Sequence, residues 1–355
     1  MWVTSSLAAT LTPTRVALGN FDGVHLGHQR VIGRILEDSA MGGCAEPAVV
    51  APYLSSGMTH RYVPTGCDRS RPDSVPLRPI EAGRVYTTVL TFNPHPQAFF
   101  SGKSRPLLSP IAEKVDALRA LGVDQLVLLP FDRQLAALSP EEFFRQILLD
   151  GLQARAVSVG GNFRFGHRRS GTASDLGKLG QSHGIEAHIV DLHHIDADRV
   201  SSSAVRAALE AGELERANRL LGRPYRIAGT VERGRELGRT IGFPTANIHV
   251  PPDKFLPRWG VYAGRVWLGE NEPPVVGAIN IGARPTVNGQ YPTVEAHLID
   301  WSGDLYDRCL SVELLHFLRP EQKFGSLDEL KAQIGRDRDR AIELLATAEP
   351  PQSQS

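Results

Sequence analysis

Two histidines in a glycine-rich segment are the first residues whose types and spacing suggest chemistry. Residues 16–28 read VALGNFDGVHLGH, between an apolar run and a helix-like stretch. Gly19 and Gly23 let the backbone bend sharply and approach a ligand closely. His25 and His28 are three residues apart, so both imidazoles face one side of a helical turn. Together with the free N–H groups of a helix N-terminus, they would suit a polyphosphate and charge developing at phosphorus.

Three further polar segments occur in the first half of the chain. TFNPHP at 91–96 follows an apolar run, and VGGNFRFG at 159–166 is followed by RSG at 169–171. SSSAVR at 201–206 would open a helix, so its hydroxyl and amide groups could meet phosphate. Each segment also has a simpler explanation, namely a helix N-cap, core packing of the phenylalanines, or a solvated arginine.

The second half carries a different glycine-rich pattern. Residues 229–234 read GTVERG and residues 238–247 read GRTIGFPTAN, without a Walker A pattern. The glycines suggest a backbone that wraps closely around a ligand such as a phosphate group. Thr245 and Asn247 alternate along a predicted strand and therefore face the same side. A hydroxyl and an amide oxygen in this position suit Mg²⁺ and phosphate.

A carboxylate on a later strand could supply a general base. The segment TVEAHLID at 293–300 places Glu295 opposite to its apolar neighbours Val294, Ala296 and Leu298. Most carboxylates in such positions are solvated. Beside the other motifs, Glu295 is the best candidate for a base.

The elements that must position these residues differ between the two halves. The first half alternates short apolar runs with helix-like stretches, which predicts a parallel α/β sheet covered by helices. Ligands bind such a sheet beyond the C-terminal ends of its strands. The predicted strands are 15–18, 85–92, 125–129, 154–159 and 186–190, and the predicted helices are 27–38, 110–121, 140–149 and 172–183.

After residues 222–224 the apolar runs become short and are separated by Gly or Pro, which predicts a small antiparallel β-barrel. A terminal helix is predicted at 326–345, with apolar residues on one face. The predicted strands of the barrel are 225–232, 245–250, 260–267, 274–281, 293–300 and 308–317.

Composition limits the possible partners and compartments. The 355 residues suggest about two domains, and 39 basic side chains balance 39 acidic ones. This balance argues against nucleic acid or an anionic membrane as a partner. Cys44, Cys67 and Cys309 show no metal-binding pattern, so separate thiols in a reducing compartment are expected. Without a leader-like segment or a long apolar run, a cytoplasmic location is expected.

Residues 41–83 fit neither pattern. They are rich in Pro, Ser and Gly and lack periodicity, which predicts a disordered insertion. A regulatory lid or contact surface is the alternative, and no residue favours it. Residues 347–355 are predicted to form a disordered tail.

The motifs, taken together and in order, resemble those of the prokaryotic bifunctional riboflavin kinase/FMN adenylyltransferases. Residues 16–28 resemble the opening of that family, and GFPTAN at 242–247 resembles its riboflavin kinase signature. NIGARPT at 280–286 and RPEQKF at 319–324 resemble further family motifs. Four ordered matches in the first half argue against the separate, simpler explanations.

Three positions depart from the common family pattern: Asn93 replaces an aspartate, Ser203 a threonine and Asp307 a glycine. The resemblance implies a Rossmann-like N-terminal nucleotidyltransferase domain and a C-terminal riboflavin kinase barrel. Their expected bounds are 1–200 for the adenylyltransferase, 201–222 for a helical connection and 223–346 for the kinase.

For the first domain, the resemblance implies that FMN and ATP give FAD and pyrophosphate without a covalent enzyme intermediate. His25 and His28 would contact the ATP phosphates and the transition state. Asn93, Asn162 and Arg169 would lie near FMN. The expected ATP and phosphate contacts are Gly19, Phe21, Gly23, Ser202, Ser203 and Arg206.

For the second domain, the resemblance implies that ATP phosphorylates riboflavin to FMN. Glu295 would accept the proton of the riboflavin 5′-hydroxyl as that oxygen attacks the γ-phosphate. Gly234 and Gly238 would approach ATP, while Thr245 and Asn247 would bind Mg²⁺. The expected small-molecule partners are riboflavin, FMN and ATP, and self-association stays open.

Three alternatives remain open at this point. Nucleotidyltransferases with an H-x-G-H motif also adenylylate pantetheine phosphate or nicotinamide mononucleotide, although GFPTAN argues against both substrates. A single-activity enzyme would result if Asn93 weakened the first site. A flavin-binding module without catalysis is the third alternative, against which the two histidines and Glu295 argue.

Overall fold

The computed structural model describes residues 1–37, 83–196, 198–234, 238, 241–269, 272–286 and 289–346, the side chains of 284–286 and 289–291 excepted. The predicted insertion at 41–83 lies outside these residues except for Gly83, and the predicted tail at 347–355 lies outside them entirely. The chain divides into two compact units, with the boundary between Ser202 and Ser203.

The first unit is organised around a six-stranded sheet in which all neighbouring strands are parallel. The strand order is β1-β4-β3-β2-β5-β8, and two small hairpins, β6–β7 and β9–β10, lie outside the sheet. The strands are β1 Trp2–Thr4, β2 Thr14–Leu18, β3 Tyr86–Asn93, β4 Gln125–Pro130, β5 Ala154–Gly160, β6 Arg164–Phe165, β7 Gly171–Thr172, β8 Glu186–Val190, β9 His194–Ile195 and β10 Asp198–Arg199.

Helices cover both faces of this sheet, because successive side chains of a strand point to opposite faces. Val16 and Leu18 of β2 belong to one apolar cluster, and Ala17 between them belongs to another. The helices are α1 Leu26–Glu37, α2 Pro96–Ser101, α3 Ile111–Ala120, α4 Arg133–Ala137, α5 Pro140–Phe143 with a π-helical continuation Phe144–Gly151, and α6 Ala173–His183. The prediction of a parallel α/β sheet is confirmed.

The C-terminal ends of neighbouring parallel strands meet at one edge of the sheet. The glycine-rich segment follows β2, Asn93 ends β3, and Asn162 follows β5. Since β3, β2 and β5 are adjacent, the topology brings these segments to the same edge.

The second unit contains a closed barrel with antiparallel neighbours in the order β11-β12-β15-β14-β13-β16. Its strands are β11 Tyr225–Glu232, β12 Ala246–His249, β13 Gly260–Trp267, β14 Val275–Thr286, β15 Gly289–Leu298 and β16 Cys309–Pro320. The predicted antiparallel barrel is therefore confirmed. Two helices precede the barrel, α7 Ser202–Ala211 and α8 Leu214–Leu221, and α9 Leu327–Ala346 follows it.

An ion pair fastens the terminal helix to the barrel. The Arg319 guanidinium at the end of β16 donates to both carboxylate oxygens of Asp337 on α9, at 2.8–3.0 Å. Gln333 donates a further hydrogen bond of 2.8 Å to the same carboxylate. Ala341 and Leu345 of α9 are buried against the barrel residue Ala263. Arg319 of the RPEQKF motif thus has a structural role.

The expectation of separate thiols is wrong for Cys309, which is disulfide-bonded. A disulfide requires two Cα atoms within about 7 Å, a proximity that spacing along the sequence does not reveal.

Within the part of the chain that the structure describes, none of the helices combines the length and apolarity that crossing a membrane requires.

Candidate active sites

The glycine-rich segment after β2 forms a turn with an uncommon backbone. Phe21, Gly23 and Val24 have φ angles of 47°, 88° and 43°. A non-glycine residue in this left-handed region costs about 1–3 kcal/mol, and a β-branched residue such as Val24 is a rare occupant. Such a turn persists only where the surrounding structure holds it.

Side chains from distant parts of the first unit hold this turn. The carbonyl oxygen of Asn20 accepts hydrogen bonds from Thr91 Oγ1 at 3.1 Å and from Lys114 Nζ at 2.9 Å. The carbonyl oxygen of Asp22 accepts a hydrogen bond of 2.8 Å from Ser202 Oγ. Strand β3, helix α3 and the start of α7 therefore all fix the turn between β2 and α1.

The two predicted histidines lie together at the start of α1. The His25 and His28 rings are stacked, with centroids 3.6 Å apart and planes inclined by 14°. His25 Nδ1 accepts the backbone N–H of His28 at 3.2 Å, so the proton of neutral His25 resides on Nε2. Nε2–H can then donate to a phosphate oxygen. No acidic residue occupies the first turn of α1, which keeps the partial positive charge of the helix N-terminus available.

Gly27 and two of the predicted nucleotide residues, Phe21 and Gly19, pack in and around the turn. A methyl group at Gly27 would lie 3.2 Å from His25 Nδ1, so glycine leaves room for the imidazole. Phe21 is 1% exposed, and its ring lies 5.2 Å from that of His28. Its side chain therefore packs between His28 and the apolar cluster on that face of the sheet. At Gly19, a methyl group would lie 3.3 Å from the Phe21 ring.

The serine-rich segment contributes residues to both units. Ser202 bonds to the turn, as described above, whereas Ser203 is exposed in the second unit. The Arg206 guanidinium is buried and lies 4.8 Å from the centre of the Phe255 ring. Its approach to ATP stays a prediction.

The predicted flavin residues are exposed, and two of them, Asn93 and Asn162, lie at the carboxyl edge of the sheet. Asn93 ends β3, and its carbonyl oxygen accepts the backbone N–H of Phe131 at 3.0 Å. Asn162 lies in the turn after β5, in which Phe163 N–H bonds to Gly160 O at 2.8 Å. Arg169 lies in the hairpin between β6 and β7 with a φ of 61°.

An aromatic surface at the same edge was missed by the sequence analysis. It consists of Phe92, Phe99, Phe100 and Phe131, and the ring centroids of Phe92, Phe99 and Phe100 lie 5.3–5.7 Å from that of Phe131. Phe100 is 71% exposed. Two of the rings belong to α2, which the sequence analysis did not predict. The signal for this surface in the sequence was the adjacent pair Phe99-Phe100, which closely follows the TFNPHP segment at 91–96.

Two of the predicted barrel residues, Glu295 and Asn247, share one face of the barrel. On β15, Val294, Ala296 and Leu298 are buried, whereas Glu295 is half-buried on the opposite side, as predicted. Asn247 of β12 is directly opposite Glu295, which is in turn opposite Asn280 of β14. Cβ atoms of directly opposite residues are about 4.5–5.5 Å apart. The strand register therefore groups the carboxylate with two amides.

The glycines beside this face allow a close backbone approach. A methyl group at Gly234 would overlap the Asn247 amide, and one at Gly238 would overlap the Phe243 carbonyl oxygen. Gly238 O accepts the backbone N–H of Phe243 at 2.8 Å. A methyl group at Gly238 would also lie 3.3 Å from Thr245 Oγ1. Both predicted glycines thus border the predicted Mg²⁺ ligands.

Two further residues of the barrel site were given no role from the sequence. Asn280 lies beside Glu295, and its alternation with buried Ile279 and Ile281 was the signal for this face. His297 Nδ1 lies 2.8 Å from the Pro244 carbonyl oxygen, and its ring meets that of Phe243 edge-on at 5.4 Å. His297 therefore steadies the GFPTAN segment.

The donor atoms at the barrel suit a hard cation that is bound mainly through a nucleotide. Asn247 of β12 and Thr245, which directly precedes that strand, carry neutral oxygen atoms. Mg²⁺ commonly takes few protein ligands while phosphates and water complete its shell. Among the residues described, no group of three His, Cys, Asp or Glu side chains could hold a metal by itself.

Comparisons with known proteins match each unit to a family. The FAD synthetase family model matches residues 7–51 and 79–204, and the riboflavin kinase model matches residues 221–345. A crystal structure described as a macrolide-efflux protein from Streptococcus pneumoniae shares the fold, with a TM-score of 0.74 and 25% identity over 96% of this chain and 97% of that one.

Curated relatives match along nearly the whole chain. The bifunctional riboflavin kinase/FMN adenylyltransferase of Escherichia coli K12 is 37% identical over 336 residues, which cover 94% of each chain. The enzyme of the same description from Bacillus subtilis 168 is 32% identical over 92% of this chain and 91% of its own. This chain belongs to the bifunctional riboflavin kinase/FMN adenylyltransferase family.

Proposed function

We propose that the chain phosphorylates riboflavin to FMN at the barrel and adenylylates FMN to FAD at the parallel sheet, consuming one ATP in each step. The observation that carries this proposal is the presence of two sites with different chemistry in two separate units. A histidine pair lies at a helix N-terminus in the first unit, and a carboxylate lies between two amides in the second.

In the kinase step, Glu295 accepts the proton of the riboflavin 5′-hydroxyl. The hydroxyl oxygen forms a bond to the γ-phosphorus of ATP, the bond from that phosphorus to the β–γ bridging oxygen breaks, and ADP leaves. Thr245 and Asn247 would hold Mg²⁺, which when bound offsets charge on the phosphate oxygens. Gly234 and Gly238 let the backbone lie close to these residues.

In the adenylyltransferase step, a phosphate oxygen of FMN attacks the α-phosphorus of ATP, and pyrophosphate leaves. No covalent bond to the enzyme is required, so positioning and electrostatic stabilisation carry the rate. His25 Nε2–H and His28 donate to the phosphate oxygens beside the N–H groups of α1. Ser202 and Ser203, with Arg206, are assigned to the triphosphate and its leaving group.

The flavin of the second step would lie at the carboxyl edge of the sheet. Isoalloxazine is a flat aromatic ring, and aromatic pairs gain about 0.5–1.5 kcal/mol beyond the area they bury. The exposed ring of Phe100 and its neighbours supply such a surface. Asn93 and Asn162, exposed at the same edge, and Arg169, exposed in the hairpin between β6 and β7, would bind the polar parts of FMN.

A time course with the intact chain tests the proposal. Purified protein is incubated with riboflavin, ATP and Mg²⁺, and flavins are separated by chromatography. FMN is expected to appear first and FAD later, and a chelator in excess over Mg²⁺ should stop both conversions. Accumulation of FMN without FAD would refute the second activity, and unchanged riboflavin would refute the first.

A further inference from the structure

A buried lysine lies beneath the turn that carries the two histidines. Lys114 of α3 is 6% exposed, and its neighbours Val115 and Leu118 belong to the apolar cluster on that face of the sheet. Removing an ammonium group from water is costly, whereas an apolar side chain of similar length would fill the same space without that cost. Packing therefore does not explain why a lysine occupies this position.

The hydrogen bonds of Lys114 converge on the turn. Its Nζ atom donates to the carbonyl oxygen of Asn20 at 2.9 Å, across 94 positions of the chain. Thr91 Oγ1 donates to the same oxygen at 3.1 Å, so both lone pairs of this carbonyl are engaged. Asn20 directly precedes Phe21, the first of the three residues with a positive φ. The Lys114 ammonium and the Thr91 hydroxyl thus fix the peptide group that directly precedes the residues with a strained backbone.

The Asp22 carboxylate completes this arrangement. Asp22 is 6% exposed, and its Oδ1 atom accepts the backbone N–H of Ser109 at 3.2 Å, shortly before α3 begins. Its negative charge attracts the Lys114 ammonium. Asp22 is also the residue whose carbonyl oxygen bonds to Ser202. Lys114 is therefore linked through Asp22 to the serine segment assigned to the triphosphate.

We propose that Lys114 is a positioning residue for the adenylyltransferase step. Its ammonium holds Asn20 and Asp22 in place and so presents His25 and His28 to the phosphates of ATP. This inference rests on the proposed FMN adenylyltransferase function of the first unit.

The charge of Lys114 is expected to change within an accessible pH range. Burial lowers the pKa of the Lys114 ammonium to about 8, and the Asp22 carboxylate limits that decrease. The strand and the loop that pack on the ammonium supply Thr91 and Ser109, which carry no charge, and Glu113 adjoins it on α3. Other charged side chains of the surrounding elements have partners of their own: Asp116 with Arg119, Arg30 with His193, Arg34 with Glu37 and Arg84 with Asp124.

Activity and stability should respond to this titration in opposite directions. Above about pH 8, Lys114 loses its proton, so its attraction to Asp22 disappears and the turn is held less firmly. Between about pH 8 and the ordinary lysine pKa of 10.5, the unfolded chain binds this proton more tightly than the folded one. The contribution of Lys114 to the free energy of unfolding therefore rises with pH in this range. An alkaline loss of adenylyltransferase activity through Lys114 is consequently not a loss of folding.

The test compares Lys114→Met with Lys178→Met in the full-length chain. Lys178 lies on α6 of the same unit, and its side chain is 77% exposed. The rate of FAD formation from FMN is measured between pH 6.5 and 10, with the riboflavin kinase rate of the same sample as an internal control. The unsubstituted chain and Lys178→Met should lose FAD formation above about pH 8, without a matching change in the kinase rate. Lys114→Met should be about tenfold slower at pH 7.5, as expected for one lost hydrogen bond, and should lack this alkaline decline.

A second variant, Thr91→Val, keeps the proposal testable if Lys114→Met does not fold. It removes the other donor to Asn20 O while leaving Lys114 in place. FAD formation should then be slower, and its alkaline decline should be steeper than in the unsubstituted chain. Unchanged rates and pH profiles in either folded variant would overturn the proposal. Absence of FAD formation by the unsubstituted chain at every pH would instead refute the proposed function.

Discussion

The histidine pair of the first unit and the carboxylate of the second are held by different kinds of support. His25 and His28 follow a left-handed turn that is fixed by Thr91, Lys114 and Ser202 from distant positions. Glu295 is held by strand pairing, which sets it between Asn247 and Asn280. The first site therefore depends on tertiary contacts beneath it, whereas the second depends on register. Substitutions that remove tertiary contacts should therefore impair the first site, whereas substitutions that disturb strand pairing or its neighbours should impair the second.

The sharpest separation is expected from Glu295→Gln. The amide keeps the size of the side chain but cannot accept the proton of the riboflavin 5′-hydroxyl. Riboflavin phosphorylation should fall by about 10³-fold, while conversion of added FMN to FAD should be unchanged. Flavin chromatography with each substrate measures both rates. Glu210→Gln, an exposed position on α7, is the control, and retention of more than a tenth of the kinase rate would remove Glu295 from the role of base.

The converse separation is expected from His28→Ala. Loss of one donor to the developing phosphate charge should slow FAD formation by about 10²-fold, and FMN should accumulate from riboflavin at the normal rate. His183→Ala, at the exposed end of α6, is the matched control. Equal losses of both activities in a folded His28 variant would contradict the separation of the two sites.

A smaller effect on the kinase alone is expected from Gly234→Ala. The added methyl group would overlap the Asn247 amide and displace it, so kcat/KM for ATP should fall by about tenfold. Gly335→Ala on α9 is the control, because a methyl group there meets no atom within 4 Å. If Gly234→Ala left the kinase rate unaffected, the kinase reaction would not depend on the present position of the Asn247 amide.

The smallest expected effect concerns the aromatic surface. Phe100→Ser should raise KM for FMN by about threefold to tenfold, which corresponds to the loss of one aromatic pair. Melting temperature should change little because Phe100 is 71% exposed. Ile189→Ser, at a residue that is 44% exposed on β8, is the control. An unaltered KM in the Phe100 variant would exclude this ring from flavin binding.

The same contrast explains how much could be predicted from the sequence. The barrel strands β11 and β13 have the predicted bounds, and the predicted face of Glu295 is confirmed, because alternation along a strand is a local property. Asn280 was overlooked as a neighbour of Glu295, since neither strand segment by itself indicates which residues will pair across the two strands. Asp307, where the family commonly has glycine, keeps the left-handed conformation with a φ of 62°.

The support of the histidine turn could not be predicted in this way. Spacing indicated the histidine pair, but Lys114 lies 94 positions from the carbonyl group that it holds. Helix α2 was missed because it is only six residues long and begins with proline, so it shows no helical periodicity. The aromatic surface that depends on α2 was missed with it. These features arise from packing between elements, which periodicity does not encode.

Complementation between two variants tests the central claim most directly. Glu295→Gln and His28→Ala are incubated with riboflavin, ATP and Mg²⁺, first separately and then as a mixture. Over the time in which the unsubstituted chain completes both steps, Glu295→Gln alone should leave nearly all riboflavin unchanged and His28→Ala alone should accumulate FMN. The mixture should produce FAD. Formation of FAD by either variant alone as fast as by the mixture, or failure of the mixture to form it, would contradict the assignment of the two reactions to two separate sites.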